Sequence, residues 1–280
     1  MLQPGRLARS VFISYAQHAE DVLIDRFFGG KTSGFYIDVG AGHPDLRSVT
    51  KHFYDLGWSG VNIEPVDSVF ILLERERPRD TNLKLAASNE AGTRTLYENP
   101  SNPELSSLDG EVAEDGGQRH GVSPVERQVE VKTLAAICEE HGIAVYDFLK
   151  IDVEGHELEV LSGADLVRHR PQLIVVEATW PETSEPSHEG WESVVIDAGY
   201  QFAFNDGLNR YYVAAEHADR STRLEVPANP SDHFVTPTQL ILREPEVRAA
   251  IKIRKFMLDH ARLRRLLFSS LRKNKGLRGP

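Results

Sequence analysis

The chain has 280 residues, of which 40% are hydrophobic and 26% charged, and its formal net charge is −10. This size and composition fit one large α/β domain better than two small ones. Residues 248–280 hold 11 of the 32 Lys and Arg residues and one of the 42 acids, which leaves 21 bases and 41 acids in residues 1–247. Residues 1–247 are therefore strongly acidic and repel polyphosphates, so we expect the protein to have no nucleic-acid partner.

Targeting signals are not evident in the sequence. No apolar run approaches the roughly 18 to 20 residues needed to span a membrane, and the first residues lack the apolar stretch and cleavage site of a secretory signal. We therefore expect a cytoplasmic protein. The single cysteine, Cys138, lies in a segment whose alternating apolar and polar residues are typical of a helix with one buried face, so we interpret it as a core residue rather than a nucleophile.

Short apolar runs of strand length alternate with helix-like segments along the chain. Helices are predicted at 19–28, 48–56, 68–75, 134–141, 157–162 and 191–198. Strands are predicted at 35–39, 59–63, 82–85, 146–151 and 173–176, and a hairpin at 200–204 and 211–214. This alternation predicts an α/β domain of the Rossmann-like type over residues 1–247, with a mainly parallel sheet and helices on both faces.

Two polar segments interrupt this pattern. Residues 100–128 are dense in Gly, Ser, Pro and acids, which predicts a surface loop or lid, and such loops often determine substrate choice. Residues 181–190 form the second polar segment. Trp180, just before it, offers either a flat apolar face for a sugar ring or an ordinary packing side chain.

The C-terminal segment 248–280 is predicted to be a basic amphipathic helix. We favour packing of this helix on the acidic body or on a partner subunit in a homo-oligomer, and contact with a membrane surface is the alternative. The apolar residues that define its face recur at helical spacing and are Ile253, Phe256, Leu263, Leu267 and Leu271.

In a parallel α/β sheet the ligand crevice lies outside the carboxyl ends of the strands. The first predicted strand ends with Asp38, followed by Gly40 and Gly42, whose lack of a Cβ atom lets a ligand approach the backbone. Asp38 can pair with the ammonium group of a methionine moiety, whereas a phosphate would avoid it. Glu64, at the end of the second strand, can accept hydrogen bonds from a ribose diol. Each feature alone fits an ordinary turn, but together they favour a nucleoside cofactor.

Several stretches of the chain resemble the FkbM-type methyltransferases. The most specific part is the sequence DVGAG at 38–42 followed by IEP at 63–65 and KIDVEG at 150–155. The resemblance covers roughly residues 13–215 and implies a Rossmann-like methyltransferase fold. It also implies transfer of a methyl group from S-adenosylmethionine, usually to a hydroxyl of a sugar or glycosylated natural product. The other matching stretches are 14–17, 20–21, 35–37, 53–54, 57–60, 86–88, 148–149 and 157.

The resemblance also implies the parts of the cofactor site. Most members have Asn-Asp or Asn-Asp-Gly after the small residue, where this chain has Gly42, His43 and Pro44, so His43 either faces the acceptor or is an exposed turn residue. The residues assigned by position are Asp38, Gly40, Ala41 and Gly42 for the methionine part, Glu64 and Pro65 for the ribose, Ala87 and Ser88 for the adenine edge, Asp152 at the crevice, and Tyr15 and Gln17 to close the pocket.

Methylation of a hydroxyl requires a means of removing its proton. Asp152 and Glu177 end the fourth and fifth predicted strands, and neighbouring carboxylates repel unless a cation or a shared proton joins them. A divalent ion such as Mg²⁺ can bind there and activate the acceptor hydroxyl. In the alternative, Asp152 caps the next helix and Glu177 contacts the acceptor directly. His156 is a second candidate for the catalytic base, because an imidazole can accept a proton at cellular pH.

Two rival functions use the same pattern. A nucleotide-dependent oxidoreductase is less favoured, because DVGAGHP lacks the spaced glycines of a pyrophosphate turn. A non-catalytic binding module is less favoured because Asp38, Glu64, Asp152 and Glu177 are all retained. We therefore predict an S-adenosylmethionine-dependent O-methyltransferase with a saccharide or glycoside acceptor.

Overall fold

The computed structural model describes residues 12–243 and 245. Ser14–His233 form one compact unit, and the described residues on either side of it belong to a second. The predicted amphipathic helix at 248–280 lies outside the described residues, so its contacts stay predictions. Within the described residues, no helix combines the length and the apolar character needed to cross a membrane.

The secondary structure of the described residues alternates between strands and helices over much of its length. The strands are β1 (Phe12–Ile13), β2 (Phe35–Val39), β3 (Ser59–Ile63), β4 (Thr81–Leu83), β5 (Ala86–Ala87), β6 (Gly92–Glu98), β7 (Val125–Lys132), β8 (Val145–Ile151), β9 (Arg170–Glu177), β10 (Tyr200–Asn205), β11 (Asn209–Ala214) and β12 (Phe234–Val235). The α-helices are α1 (Glu20–Phe28), α2 (Lys51–Leu56), α3 (Asp67–Glu76), α4 (Gly110–His120), α5 (Leu134–Glu140), α6 (Glu157–Ser162), α7 (Glu192–Asp197) and α8 (Pro237–Arg243).

A sheet of seven strands forms the centre of the larger unit, in the order β10-β11-β9-β8-β2-β3-β4. The five strands β9, β8, β2, β3 and β4 are parallel to one another. β11 runs antiparallel to β9 and pairs with β10 as the predicted hairpin. The Rossmann-like α/β fold with a mainly parallel sheet is therefore confirmed.

Side chains alternate along the central strands, so each strand contributes to two core clusters. Ile37 and Leu149 pack in one cluster with buried residues of α5, α6 and α7. Tyr36 and Phe148 pack in the other with buried residues of α1 and α2, and their rings stack with centroids 5.6 Å apart. Helices thus cover both faces of the sheet. Cys138 is fully buried in the first cluster, as predicted.

A second, three-stranded sheet has the order β5-β7-β6. The segment between β6 and β7 includes much of 100–128, which the sequence predicted as a loop or lid. The prediction of a loop was wrong in part, because residues 100–128 contain α4 and the first four residues of β7. The polar helix α4 forms because Asp109 caps it, accepting hydrogen bonds from the N–H groups of Glu111 and Val112, and because Ala113 and Gly117 are buried.

The smaller unit is described only in short segments. β1 and β12 pair in parallel, with Phe12 opposite Phe234 and Ile13 opposite Val235. α8 follows β12 in the chain.

The strand order reverses between β2 and β8. From β2 the chain proceeds to β3 and β4 on one side, whereas β8 and β9 lie on the other side. The loops that follow β2 and β8 therefore diverge and leave a crevice at the carboxyl ends of these strands. This crevice is the place where a ligand site is expected.

Candidate active site

A cavity of about 460 Å³ opens at the carboxyl ends of β2, β3, β8 and β9. This volume is in the range of small-molecule sites. Tyr15, Asp38 and Ser88, which the sequence also predicted as cofactor residues, do not line the cavity. The predicted site residues that do line it are Gln17, Gly40, Ala41, Gly42, Glu64, Pro65, Ala87, Asp152, His156 and Glu177.

The turn after β2, residues 40–42, requires glycine. Gly40 and Gly42 have φ angles of +72° and +61°. A Cβ atom at residue 40 would lie 1.8 Å from the carbonyl oxygen of Asp152. The turn after β2 therefore lies directly against the turn after β8, residues 152–155, and only glycine permits this approach.

Glu64 joins the ends of β2 and β3. Its Oε2 accepts a hydrogen bond from the N–H of Gly42 at 3.0 Å, and its Oε1 accepts one from the N–H of Val66 at 2.8 Å. Burial raises the pKa of this carboxyl to about 7. A carboxylate offers about four lone-pair sites. Glu64 also lines the cavity, so the acceptor sites that these two hydrogen bonds leave are candidates for hydroxyl donors there.

Lys150 is a site residue that the sequence reasoning missed. Its Nζ lies 2.7 Å from the carbonyl oxygen of Gly40, 3.3 Å from Oδ1 of Asp38 and 3.5 Å from Oδ2 of Asp152. Burial favours the neutral amine, but the carboxylates of Asp38 and Asp152 outweigh it and raise the pKa of Lys150. The side chain is therefore a permanent cation rather than a proton acceptor.

Asp38 is buried below the cavity. Its side chain is 1% exposed, and its Oδ2 accepts a hydrogen bond from the hydroxyl of Thr50 at 2.9 Å. Its Oδ1 lies 3.3 Å from Nζ of Lys150 but has no hydrogen-bond partner among the described residues. Asp38 does not line the cavity, and its contact with a methionine ammonium stays a prediction.

Three carboxylates meet at the ends of β8 and β9. Asp152, Glu154 and Glu177 offer oxygen atoms that all lie within 4.8 Å of one another. Glu177 is 7% exposed, and its Oε2 is buried without a hydrogen-bond partner among the described residues. Burial and then the charge of Asp152 raise the pKa values of Glu154 and Glu177. We refer to these three residues as the acid cluster.

Glu154 is a second site residue that the sequence analysis did not predict. It follows the strand end by three residues, and a φ angle of +54°, unusual for a residue with a side chain, brings it back beside Asp152. The backbone N–H groups of Val153 and Gly155 donate to Glu157 at 3.1 and 3.2 Å. Glu157 rather than Asp152 therefore holds the start of α6, which argues against the capping role considered for Asp152.

His156 connects the turn after β8 to the wall formed by β5. Its Nε2 lies 3.0 Å from the hydroxyl oxygen of Ser88, and its Nδ1 lies 3.4 Å from Oε2 of Glu159. Burial lowers the pKa of this imidazole. His156 is thus a neutral ring held at the predicted adenine wall.

For His43 and Trp180 the sequence analysis left open whether they contact a ligand or have an ordinary structural role. His43 lines the cavity, and its Nδ1 accepts hydrogen bonds from the N–H groups of Asp45 and Leu46 at 3.1 and 3.2 Å, so it stabilises its own turn. Trp180 is 42% exposed and lies outside the cavity lining.

Residues 102–120 line part of the cavity and contact other parts of its wall. Glu104 forms an ion pair with Arg47 at one rim. The hydroxyl of Ser107 donates to the carbonyl oxygen of Glu154 at 2.7 Å. At the other rim, the Nε2 of His120 lies 2.7 Å from Oε1 of Glu182. This segment therefore forms part of the cavity wall next to Glu154 of the acid cluster.

The fold and the cavity together define an α/β protein with a cavity of small-molecule size at the reversal of strand order. The Methyltransferase FkbM domain matches residues 38–202, which is more than half of the chain. The chain therefore belongs to the FkbM methyltransferase family. A comparison with curated proteins found no match. Family membership favours methyl transfer over the oxidoreductase alternative.

Proposed function

We propose that this protein transfers the methyl group of S-adenosylmethionine to a hydroxyl of a saccharide or glycosylated natural product. The observation that carries the proposal is that one cavity contains both the turn at 40–42 with Glu64 and the acid cluster. The first group suits a nucleoside cofactor, and the second suits activation of an oxygen nucleophile. Membership of a methyltransferase family supports the reaction class.

The residues present fit the cofactor. Gly40 and Gly42 leave the backbone open to the methionine part, and the remaining acceptor sites of Glu64 suit the two hydroxyls of the ribose. Ala87 provides an apolar wall for the base. When bound, the cofactor supplies a methyl group on a sulfonium, which is a good leaving group.

The reaction balances without a further reactant. The acceptor oxygen attacks the methyl carbon, the carbon–sulfur bond breaks, and S-adenosylhomocysteine leaves with the electron pair. The hydroxyl proton must be lost as the new bond forms, because a neutral sugar hydroxyl is a poor nucleophile. The acid cluster is placed to promote this loss, and the proton would pass to solvent water.

Mg²⁺ is the proposed partner of the acid cluster, with Asp152 and Glu177 as ligands and Glu154 as a third. The unpartnered Oε2 of buried Glu177 supports a cation at this place, because an orphaned carboxylate oxygen is costly. Hard oxygen ligands are those that Mg²⁺ prefers. A bound ion would lower the pKa of the acceptor hydroxyl.

The contacts of His156 support the metal rather than the histidine as the activating group. Its two ring nitrogens are already directed at Ser88 and Glu159. A catalytic base must instead have a nitrogen free to reach the acceptor hydroxyl.

The charges around the cavity support a non-anionic acceptor. Among the described residues that line it, the only Lys and Arg side chains are Lys150 and Arg47, and both contact acids. The carboxylates of the lining are Glu64, Glu104, Asp152, Glu154, Glu177 and Glu182. A phosphorylated or carboxylated acceptor would be repelled.

Calorimetric titration tests the cofactor assignment. We expect S-adenosylhomocysteine to bind the full chain and NAD to give no heat of binding at the same concentrations. Binding of NAD in place of S-adenosylhomocysteine would favour the oxidoreductase and contradict the proposal. The cytoplasmic location and the role of residues 248–280 stay predictions.

A further inference from the structure

Lys150 lies at the point in the sheet where the strand order reverses, between β2 and β8. It lies on β8 directly opposite Asp38 on β2 in the strand register. An ammonium group has three N–H donors. Lys150 has three partners within 3.5 Å, which are the Gly40 carbonyl oxygen, Asp38 and Asp152. The contact with the Gly40 carbonyl oxygen is a hydrogen bond, and the other two are ion pairs.

Two of these partners belong to different parts of the cavity. Gly40 belongs to the turn at 40–42 on the cofactor side, and Asp152 belongs to the acid cluster. The two turns already touch, because a Cβ atom at residue 40 would lie 1.8 Å from the carbonyl oxygen of Asp152. A cation between them therefore fixes their relative placement.

The third partner, Asp38, has no place in the cavity lining. The hydroxyl of Thr50 fixes one of its oxygens, and the other faces Lys150. A buried carboxylate beside a buried ammonium provides the charge that keeps the ammonium in place. Asp38 can therefore affect a bound ligand only by its contact with Lys150.

We propose that Lys150 is a positioning residue that sets the placement of the turn at 40–42 relative to the acid cluster, and that Asp38 holds Lys150 rather than contacting the cofactor. The inference rests on the proposed function in one respect, that the turn at 40–42 receives S-adenosylmethionine. Relative placement matters because methyl transfer requires the methyl carbon and the acceptor oxygen to be in line.

The variants must separate the roles of Lys150 and Asp38. Lys150→Met alone would leave Asp38 as an unpaired buried charge, which can prevent folding. The Asp38→Asn/Lys150→Met double variant removes both charges, and the amide oxygen that replaces the carboxylate can still accept the hydrogen bond from Thr50. Asp38→Asn alone keeps Lys150 with Gly40 and Asp152. Asp38→Asn/Lys150→Gln restores an N–H donor near Gly40 without the charge.

The first readout is the affinity for S-adenosylhomocysteine, measured by calorimetry on full-length variants that melt cooperatively. We expect Asp38→Asn to bind within about threefold of wild type, the Met double variant to bind roughly tenfold or more weakly, and the Gln double variant to lie between them. An equal loss in Asp38→Asn and in the Met double variant, with the hydrogen exchange of the Gly42 and Asp152 amides unchanged in Asp38→Asn, would show that Asp38 is itself the ligand contact. Wild-type affinity in the Met double variant would also overturn the proposal.

The second readout needs no ligand. Hydrogen exchange of the Gly42 and Asp152 amides should be faster in the Met double variant than in Asp38→Asn, because both turns lose their shared anchor. Unchanged exchange at both amides would overturn the proposal. If the wild-type protein fails to bind S-adenosylhomocysteine, the proposed function fails, and the exchange rates still decide the role of Lys150.

Discussion

The carboxylate of Glu64 accepts a hydrogen bond from the backbone N–H of Gly42, 3.0 Å away, and so ties the end of β3 to the turn after β2. This contact places an acid at the edge of the cavity while leaving lone-pair sites free for a ligand. A single residue thus shapes the turn at 40–42 and is available to bind in the same cavity.

Glu64→Ala should weaken binding of S-adenosylhomocysteine by about 1 to 3 kcal/mol, because the hydrogen bonds from the ribose hydroxyls to a charged group are lost. Calorimetry measures the change. Glu98→Ala, which removes an acid whose partner is Arg127 on the neighbouring strand, is the matched control and should bind as wild type does. Unchanged affinity in a folded Glu64→Ala variant would remove Glu64 from the cofactor site.

The stability of the metal-free protein should fall as the pH rises from about 5 to 8. Burial raises the pKa values of Glu64, Glu157 and Asp21 to about 7, whereas the ordinary values are 4.5 for Glu and 3.8 for Asp. The folded state then binds more protons than the unfolded state, so its advantage is lost as the pH passes through about 7. We expect the melting temperature to drop by roughly 5 to 10 °C across this window.

Glu157→Gln provides a control for this pH dependence, since the amide oxygen can still accept from Val153 and Gly155. The melting temperature of this variant should depend less on pH than that of wild type. Glu90→Gln, at an exposed acid, should leave the dependence unchanged. Stability that increases steadily from pH 5 to 8 would contradict the raised pKa values.

Chelation should abolish most methyl transfer, and added Mg²⁺ should restore it. Asp152→Asn and Glu177→Gln should each lower turnover by about 100-fold or more while cofactor affinity changes by no more than about threefold, because the ion would act on the acceptor oxygen. Steady-state kinetics and calorimetry separate the two effects. A rate that is insensitive to the chelator would rule out the metal.

His156→Ala should act mainly on the cofactor. Loss of the contact with Ser88 loosens the wall beside Ala87, so the KM for S-adenosylmethionine should rise by about three- to tenfold with turnover largely kept. Ser88→Ala should show a smaller change of the same kind. Abolished turnover with unchanged cofactor affinity would identify His156 as the catalytic base instead.

The sequence predicted the central sheet well, because strands such as β2 and β3 are short apolar runs with clear turn signals on both sides. The sheet formed by β5, β6 and β7 escaped prediction. β7, with the sequence VERQVEVK, is largely exposed, so burial imposes little alternation on it. α4 contains Gly116 and Gly117 and few apolar residues, and its stability depends on a cap and on packing that a local pattern does not reveal.

The acids at the strand ends could be predicted because parallel strands bring their carboxyl ends to one edge. Lys150 could not, although a lysine inside the apolar strand FLKI was a usable signal. Its significance depends on the register that sets it opposite Asp38, and strand order and register are decided by tertiary packing. Glu154 was missed because its orientation depends on an unusual backbone angle.

Transfer of an isotope-labelled methyl group from S-adenosylmethionine tests the central claim most directly. The full-length protein would be incubated with Mg²⁺ and either neutral glycosides or the corresponding sugar phosphates. We predict label on a hydroxyl of a glycoside, one S-adenosylhomocysteine formed per methyl group transferred, and much less label on the phosphates. Transfer to nitrogen, preference for the phosphates, or no transfer to any saccharide by a protein that binds the cofactor would contradict the account.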